Sequence, residues 1–438
     1  MTAGPPAVTV IGAGVAGLAA AFGFADRGHR VTLLESRPRC GGRAFSTPDR
    51  VFDRELDNGF HVMLGCYRAT RALCRRLGTE EGFQQDPTLR LCYRFEGGRS
   101  TALALSRLPV PLAMPGGVLR LGLPFGARLR ALLGMGASLV GAPVEWTLAQ
   151  WLQRRGQQGA PDDVLWRPLC RAVMNCEPEE ASAAGFLKTL REAFLGSAGR
   201  AALWVPKQPW GELLGAPAPR ALAEAGVTLR VGARVAGLEH DGDRVTAVVL
   251  AAGERMPLAP DGLVVSAMPW FALQKVMGER APPALGALRA APIVTAYFEA
   301  VGPRAPADEG PVVALVGGQP FHFLLRTPGD DARRFAVLSG GDRSLDGLPV
   351  DEIARVARAQ VKRYYPDVEL GDAGVRIRKE QRATFVPDSA ADRLRPRPGR
   401  LDGGPRNLLV CGDWTATGFP ATLEGAARSS EQVLAAVV

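Results

Sequence analysis

The feature that most constrains this chain lies in its first thirty-five residues. A β-branched run, Val8 to Ile11, leads into Gly12-Ala13-Gly14-Val15-Ala16-Gly17, an Ala-rich helix follows, and a second apolar run, Val31 to Leu34, ends in Glu35. Strand, glycines, helix, strand and acid in this register specify a βαβ unit built around a diphosphate. Gly12 permits the tight turn, Gly14 lets the backbone approach the phosphates, and Gly17 lets the helix pack on the sheet. The helix N-terminus at Ala16 and Gly17 offers unpaired N–H groups and the positive end of a dipole. Glu35 stands where a carboxylate accepts both hydroxyls of an adenosine ribose, and it would repel a 2′-phosphate.

The next residues extend the signal. Ser36 and Arg37 follow the acid, and Gly41-Gly42-Arg43 supplies bare backbone N–H groups and a fixed cation beside the diphosphate. Some four hundred residues later, Leu408-Leu409-Val410-Cys411-Gly412-Asp413-Trp414 reads as a buried strand ending in an acid. A helix start at Thr422-Leu423-Glu424 follows it. Two such signatures at opposite ends of the chain point to FAD held along its whole length, and Cys411, inside the expected buried strand, is a poor place for a covalent link, so the FAD is expected to be non-covalent.

A chain of 438 residues is too long for one simple core. The expected fold is α/β and α+β: a Rossmann-like FAD-binding domain from residues 1–80, 203–285 and 395–438, interleaved with a substrate domain from 81–202 and 286–394. The substrate domain is expected to combine an antiparallel sheet with helices. Strand-like runs at Pro292–Val301, Pro311–Val316, Phe321–Arg326 and Arg334–Ser339 supply that sheet, and a helix is expected from Val350 to Tyr365. Helices are also expected at Val62–Leu77, Glu145–Arg155 and Asp162–Leu195.

The formal charge is +9, yet only five residues are Lys and basic clusters interleaved with aromatics are absent, so nucleic acid is not an expected partner. Seven scattered Cys without a CxxC pair, and four His, give no metal-ligand spacing. They fit reduced thiols in a cytoplasmic protein. No signal-peptide pattern and no transmembrane-length apolar run are expected to act. One segment stands apart. From Gly97 to Val144 there is no Asp or Glu, while Arg99, Arg107, Arg120, Arg128 and Arg130 punctuate Leu-, Pro- and Gly-rich sequence. Such a segment suits either an interfacial contact with anionic lipid or a buried cap over an apolar cavity.

The Gly41-Gly42-Arg43 doublet resembles that of the FAD-dependent amine oxidase and phytoene desaturase superfamily. Three further runs are similar to its squalene-associated branch, the hydroxysqualene dehydroxylases. They are Asp57-Asn58-Gly59-Phe60-His61 with Leu64-Gly65-Cys66-Tyr67; Leu165-Trp166-Arg167-Pro168-Leu169-Cys170 with Asn175 and Pro178-Glu179-Glu180-Ala181-Ser182; and Gly412-Asp413-Trp414-Thr415 with Pro420-Ala421-Thr422-Leu423-Glu424-Gly425-Ala426. Phe60 and Ala416 depart from the polar residues common there.

The resemblance implies reductive removal of the hydroxyl of hydroxysqualene, giving squalene for hopanoid synthesis, with an electron donor yet to be named. The alternatives are a carotenoid-type desaturase and a flavin amine oxidase. It also implies site roles: Arg43, Asn58, Gly59 and Phe60 along the flavin, Val235 at the adenine, Gly412 and Asp413 at the ribityl or diphosphate, and the backbone of Thr422, Leu423 and Glu424 at a helix N-terminus. His61, expected to titrate near neutrality, is the candidate proton donor. Asp57 is the second candidate. Tyr67, Trp166, Arg167 and Asn175 are candidates for the substrate path.

Overall fold

The computed structural model describes residues 5–301, 309–327, 331, 333–371 and 374–437. The glycine-rich unit forms as its sequence dictates. Strand Val8–Ile11 is followed by helix Val15–Ala25 and by strand Val31–Leu34, which pairs in parallel with the first from Val8↔Val31 to Ile11↔Leu34. A Cβ on Gly17 would lie 1.7 Å from the Gly12 carbonyl oxygen, so only glycine allows this helix to sit so close to its strand.

These strands are the centre of a six-stranded sheet. In order it runs Thr228–Arg230, Val31–Leu34, Val8–Ile11, Leu263–Ser266, Leu408–Val410 and Gly399–Arg400, all parallel except the last. The chain adds strands first on one side of Val8–Ile11 and then on the other. That reversal opens a crevice at the carboxyl ends of the central strands, where open α/β sheets bind ligands. Helix Leu423–Ala435 packs across the first helix so closely that a Cβ on Gly23 would meet Leu434 at 2.2 Å. The Ser430 hydroxyl donates to the Ala16 carbonyl at 2.6 Å.

The second sheet has seven strands, ordered Arg376–Phe385, Ala290–Glu299, Arg334–Gly340, Phe323–Leu325, Val312–Leu315, Arg90–Arg94 and Ser100–Ala104. It is antiparallel except where Val312–Leu315 runs parallel to Arg90–Arg94. Strand alternation splits its faces. Val294, Ala296 and Phe298 join Ile353, Ala357 and Val361 of helix Val350–Tyr364 in one apolar cluster. Tyr297 and Ala336 face the opposite way, against Phe52 and Leu56 of the hairpin formed by Ser46–Asp49 and Arg54–Asp57. Farther along that same side, Leu91, Tyr93, Val312 and Phe323 pack against helices drawn from residues 110–194.

Two expected helices differ. Val62–Leu77 contains a short strand, Met63–Leu64, paired with Leu203–Trp204, and the helix begins only at Arg68. Gly65 makes this possible, since a Cβ there would lie 1.8 Å from the Gly199 carbonyl oxygen. Asp162–Leu195 breaks at Asn175, which takes a left-handed conformation (φ 52°), and resumes at Ala183 behind the Ser182 cap. The expected strands of the second sheet and the helix from Val350 stand where the alternation placed them. No described helix is long and apolar enough to cross a membrane.

Candidate active site

The crevice at the nucleotide sheet gathers residues from three distant stretches. Glu35 is buried at the end of its strand. Its Oε2 accepts from the Ala13 N–H at 2.8 Å, and its Oε1 accepts from the Arg37 N–H at 2.8 Å and the Ser36 hydroxyl at 3.1 Å. The carboxylate therefore also folds the loops on either side of it. The Ala233 N–H donates to the Glu35 carbonyl, which brings the buried Val235, first residue of strand Val235–Asp241, close to the acid.

Gly42 closes over Gly14: a Cβ on Gly42 would approach the Gly14 Cα to 2.8 Å, and Gly42 itself has φ 62°. The Arg37 guanidinium donates to the Gly42 carbonyl and lies over the Phe45 ring, with Arg39 over the same ring.

Arg43 reaches across to the carboxyl-terminal stretch. Its Nη2 lies 2.5 Å from Asp413 Oδ1, and its Nη1 donates to the Ala383 carbonyl at 2.6 Å. The Asp413 loop is fixed from beneath. The Ser429 hydroxyl accepts from the Gly412 N–H at 2.8 Å, and Arg395 donates to the carbonyls of Trp414, Thr415 and Phe419. Burial lowers the Arg395 guanidinium to about 10. Arg395, Ser429 and Ser430 carry no motif signal, and only the fold reveals that they support the site.

Thr422 caps helix Leu423–Ala435 by accepting from the Gly425 N–H at 3.0 Å. That leaves the N–H groups of Leu423 and Glu424 in the unsatisfied first turn. The Glu424 side chain does something else. It is fully buried, accepts from the N–H groups of Ala69 and Thr70 and from the Thr70 hydroxyl, and pairs with Arg428 at 2.8 Å. It is the cap of helix Arg68–Arg76, so only its backbone remains available to a ligand.

The loop from Asp57 to His61 lies between the two sheets. Asn58 donates to Glu380 at 3.1 Å. Asp57 Oδ1 accepts from the Ser46 hydroxyl at 2.6 Å and from the Trp210 N–H at 2.8 Å. Burial nevertheless raises its carboxyl to about 6. His61 stands edge-on to Trp210, and its Nδ1 is buried without a partner among the described residues. Burial, helped by Arg43, lowers this imidazole to about 4. The expectation of a histidine titrating near neutrality is thus corrected: His61 is neutral at pH 7, and Asp57 is the group whose proton affinity lies closer to neutrality.

Asp57 and Phe60 line a small crevice of about 40 Å³ whose other walls include Phe52, Leu56, Tyr297 and Ala336. Charged and polar side chains, Arg54, Glu55, Gln208 and Arg334 among them, share that lining with the apolar ones. Trp166, Arg167 and Asn175 do not line it. Trp166 is fully buried and donates to Gln157; Arg167 pairs with Asp162, Glu177 and Glu179; Asn175 donates to Thr384 at 2.8 Å. Their motif is a joint between the helices and the second sheet.

The model of flavin-containing amine oxidoreductases matches residues 15–438. The chain belongs to that family. Within it, the chain is 29% identical to the hydroxysqualene dehydroxylase of Sinorhizobium fredii, over 98% of this chain and 97% of that one. It is 30% identical to the enzyme of that name from Rhodopseudomonas palustris, over 97% and 96%. An oxidoreductase from Methanosarcina mazei shares the fold at 14% identity, with a TM-score of 0.74 over 98% of this chain and 99% of that one. Putrescine oxidase bound to putrescine shares it at 14% identity and a TM-score of 0.70, over 98% of each chain.

The protein is therefore an FAD-dependent oxidoreductase. The family's cofactor fits what the residues offer. Gly14 and Gly42 abut so closely that a Cβ on Gly42 would strike the Gly14 Cα, which keeps the backbone bare where the first helix begins, and the His61 Nδ1 is a buried polar atom with no partner among the described residues.

Proposed function

We propose that the protein converts hydroxysqualene to squalene and water. The carrying observation is the likeness to hydroxysqualene dehydroxylases along nearly the whole chain. Reduced FAD supplies a hydride. The carbon–oxygen bond breaks, the carbon gains that hydride, and the oxygen leaves as water after gaining a proton.

The chain's own residues bind and protect. In this reading Gly12, Gly14, Ala16 and Gly17 receive the diphosphate, with Gly42 and Arg43 closing over it. Glu35, with Ser36 and Arg37, holds the ribose, and Val235 contacts the adenine through its backbone. Gly412, Asp413 and the N–H groups of Leu423 and Glu424 secure the ribityl side, and Asn58, Gly59 and Phe60 flank the flavin. Phe52, Leu56 and Phe60 keep water from the hydrocarbon. His61, as a neutral imidazole, orients the departing hydroxyl through a hydrogen bond, and Asp57 holds the proton.

The division into an FAD domain (1–80, 203–285, 395–438) and a substrate domain (81–202, 286–394) is supported by strand membership in the two sheets. Reductant and membrane contact belong to the same reading, which places the protein at the cytoplasmic surface of the bilayer.

The test is anaerobic. Photoreduced holoprotein mixed with hydroxysqualene is expected to yield squalene, with flavin reoxidation matching product. An inert reduced enzyme, together with dehydrogenation of phytoene or oxidation of an amine by the oxidised form, would overturn the reading.

A further inference from the structure

The acid-free stretch folds as two helices, Val110–Arg120 and Phe125–Ala137, joined by a short turn. Their inner sides are buried. Val110, Ala113, Met114 and Val118 of the first, and Ala127 and Ala131 of the second, belong to the apolar cluster beneath. Their outer sides are apolar as well. Leu112 is 67% exposed, Phe125 77%, Leu129 53% and Leu133 67%. Phe125, Leu129 and Leu133 recur every fourth residue, so they form one stripe. Beyond the second helix, Val140 is 83% exposed. Nine of the fourteen exposed large apolar side chains among the described residues fall between Leu108 and Val144. A helix apolar on both sides has a second apolar partner, because water does not reward such a surface.

The charge around the stripe says which partner. Residues 97–144 carry five Arg and no acid. Arg107 and Arg120 form no ion pair among the described residues. Arg128 and Arg130 differ: the first donates to the Leu123 carbonyl at 2.7 Å and the second to the carbonyls of Gly156 and Gln158, so they also hold the helices in place. An apolar stripe flanked by unpaired cations matches a bilayer with anionic headgroups.

We propose that the outer face of these two helices docks on an anionic bilayer, with Phe125, Leu129 and Leu133 inserted and Arg107 and Arg120 at the headgroups. The docking stands independently of the reaction. Its consequence for substrate rests on the proposed function: docking brings the protein to the bilayer in which a hydrocarbon substrate dissolves.

Flotation of the holoprotein with vesicles tests this, using phosphatidylcholine alone or mixed with phosphatidylglycerol. The wild type is expected to float with the mixed vesicles and far less with the neutral ones. Replacing Phe125, Leu129 and Leu133 together by Ser is expected to weaken binding by about tenfold per side chain. Arg107→Glu with Arg120→Glu is expected to abolish the preference for anionic lipid. Flavin absorbance and the melting temperature report folding, and all five side chains are exposed. Failure of the wild type to float, or unchanged flotation of the triple variant, overturns the proposal. So does a wild-type dimer that the triple variant converts to monomer without any vesicle binding. Squalene formation from detergent-dispersed substrate is read separately, so loss of docking and loss of the reaction are distinguishable.

Discussion

Arg43 and Asp413, 370 residues apart in the chain, meet at 2.5 Å across the mouth of the nucleotide crevice. The pair ties the loop after the second strand to the loop after the last parallel strand. Side-chain exposure is 28% for Arg43 and 8% for Asp413, so the carboxylate is the more committed partner. Asp413→Asn is expected to cost about 1.5–3 kcal/mol, the worth of a hydrogen bond to a charged group, read from urea unfolding. It is also expected to lower FAD content at purification. Unchanged stability and flavin occupancy together would remove the pair from the site.

Glu35→Ala is expected to weaken FAD retention at least tenfold, measured by equilibrium dialysis of the acid-released flavin. The cause is double. The ribose loses its acceptor, and the N–H groups of Ala13 and Arg37 lose theirs. Retention equal to wild type would refute the assignment.

Gly17→Ala places a methyl group 1.7 Å from the Gly12 carbonyl oxygen, and backbone cannot step aside as a side chain can. The helix must shift outward, at a cost of about 1–3 kcal/mol. The expected outcome is a folded protein with little bound flavin. A variant with full FAD and unchanged melting would show that the close packing is dispensable.

His61 and Asp57 make opposite demands on pH. His61 falls to about 4 in the folded protein, so it binds fewer protons than in the unfolded chain and adds stability as pH rises from 4 to 6.5. Asp57 rises to about 6, so it binds more protons than in the unfolded chain and removes stability as pH rises from 3.8 to 6. Each slope approaches about 1.4 kcal/mol per pH unit in its window. Relative to wild type, Asp57→Asn is expected to gain stability with rising pH between 4 and 6, and His61→Gln to lose it. Denaturation at several pH values reads both, and parallel curves for all three proteins would contradict this.

The same variants separate the chemical roles. Asp57→Asn keeps the acceptor for Ser46 and Trp210 but cannot supply a proton. Its turnover is expected to fall by about 10²–10⁴ and to lose the wild-type decline above pH 6. His61→Ala is expected to slow turnover less while leaving flavin absorbance intact. Normal turnover in Asp57→Asn would return the proton to another donor.

The parts of the fold legible in the sequence were those written locally. Glycine spacing, the strand ending in Glu35, and the alternation of Ala290–Glu299 and Arg334–Gly340 needed no distant information. The strand Met63–Leu64 was hidden because its partner, Leu203–Trp204, lies some 140 residues away. Its apolar residues also fit a helical period. The role of the Glu424 side chain was hidden for a related reason. The sequence assigned only its backbone to the site, and nothing near it in sequence announces that its carboxylate caps helix Arg68–Arg76. His61 looked like an acid because a free imidazole titrates near neutrality, and burial reversed that. Arg395 was invisible, since one more Arg in an Arg-rich stretch carries no information until four loop carbonyls surround it.

The strand order of the nucleotide sheet sets a timetable for biosynthesis. Leu263–Ser266 has its inner neighbour from the first seconds of translation, but its outer neighbour, Leu408–Val410, is made about 140 codons later. At about 5–20 residues per second the ribosome leaves that apolar edge open for roughly 7–30 seconds. The crevice gains Asp413 only after that wait. A flavin contact through Asp413 is therefore made only once this edge is paired. Half-made chains are the ones exposed to aggregation.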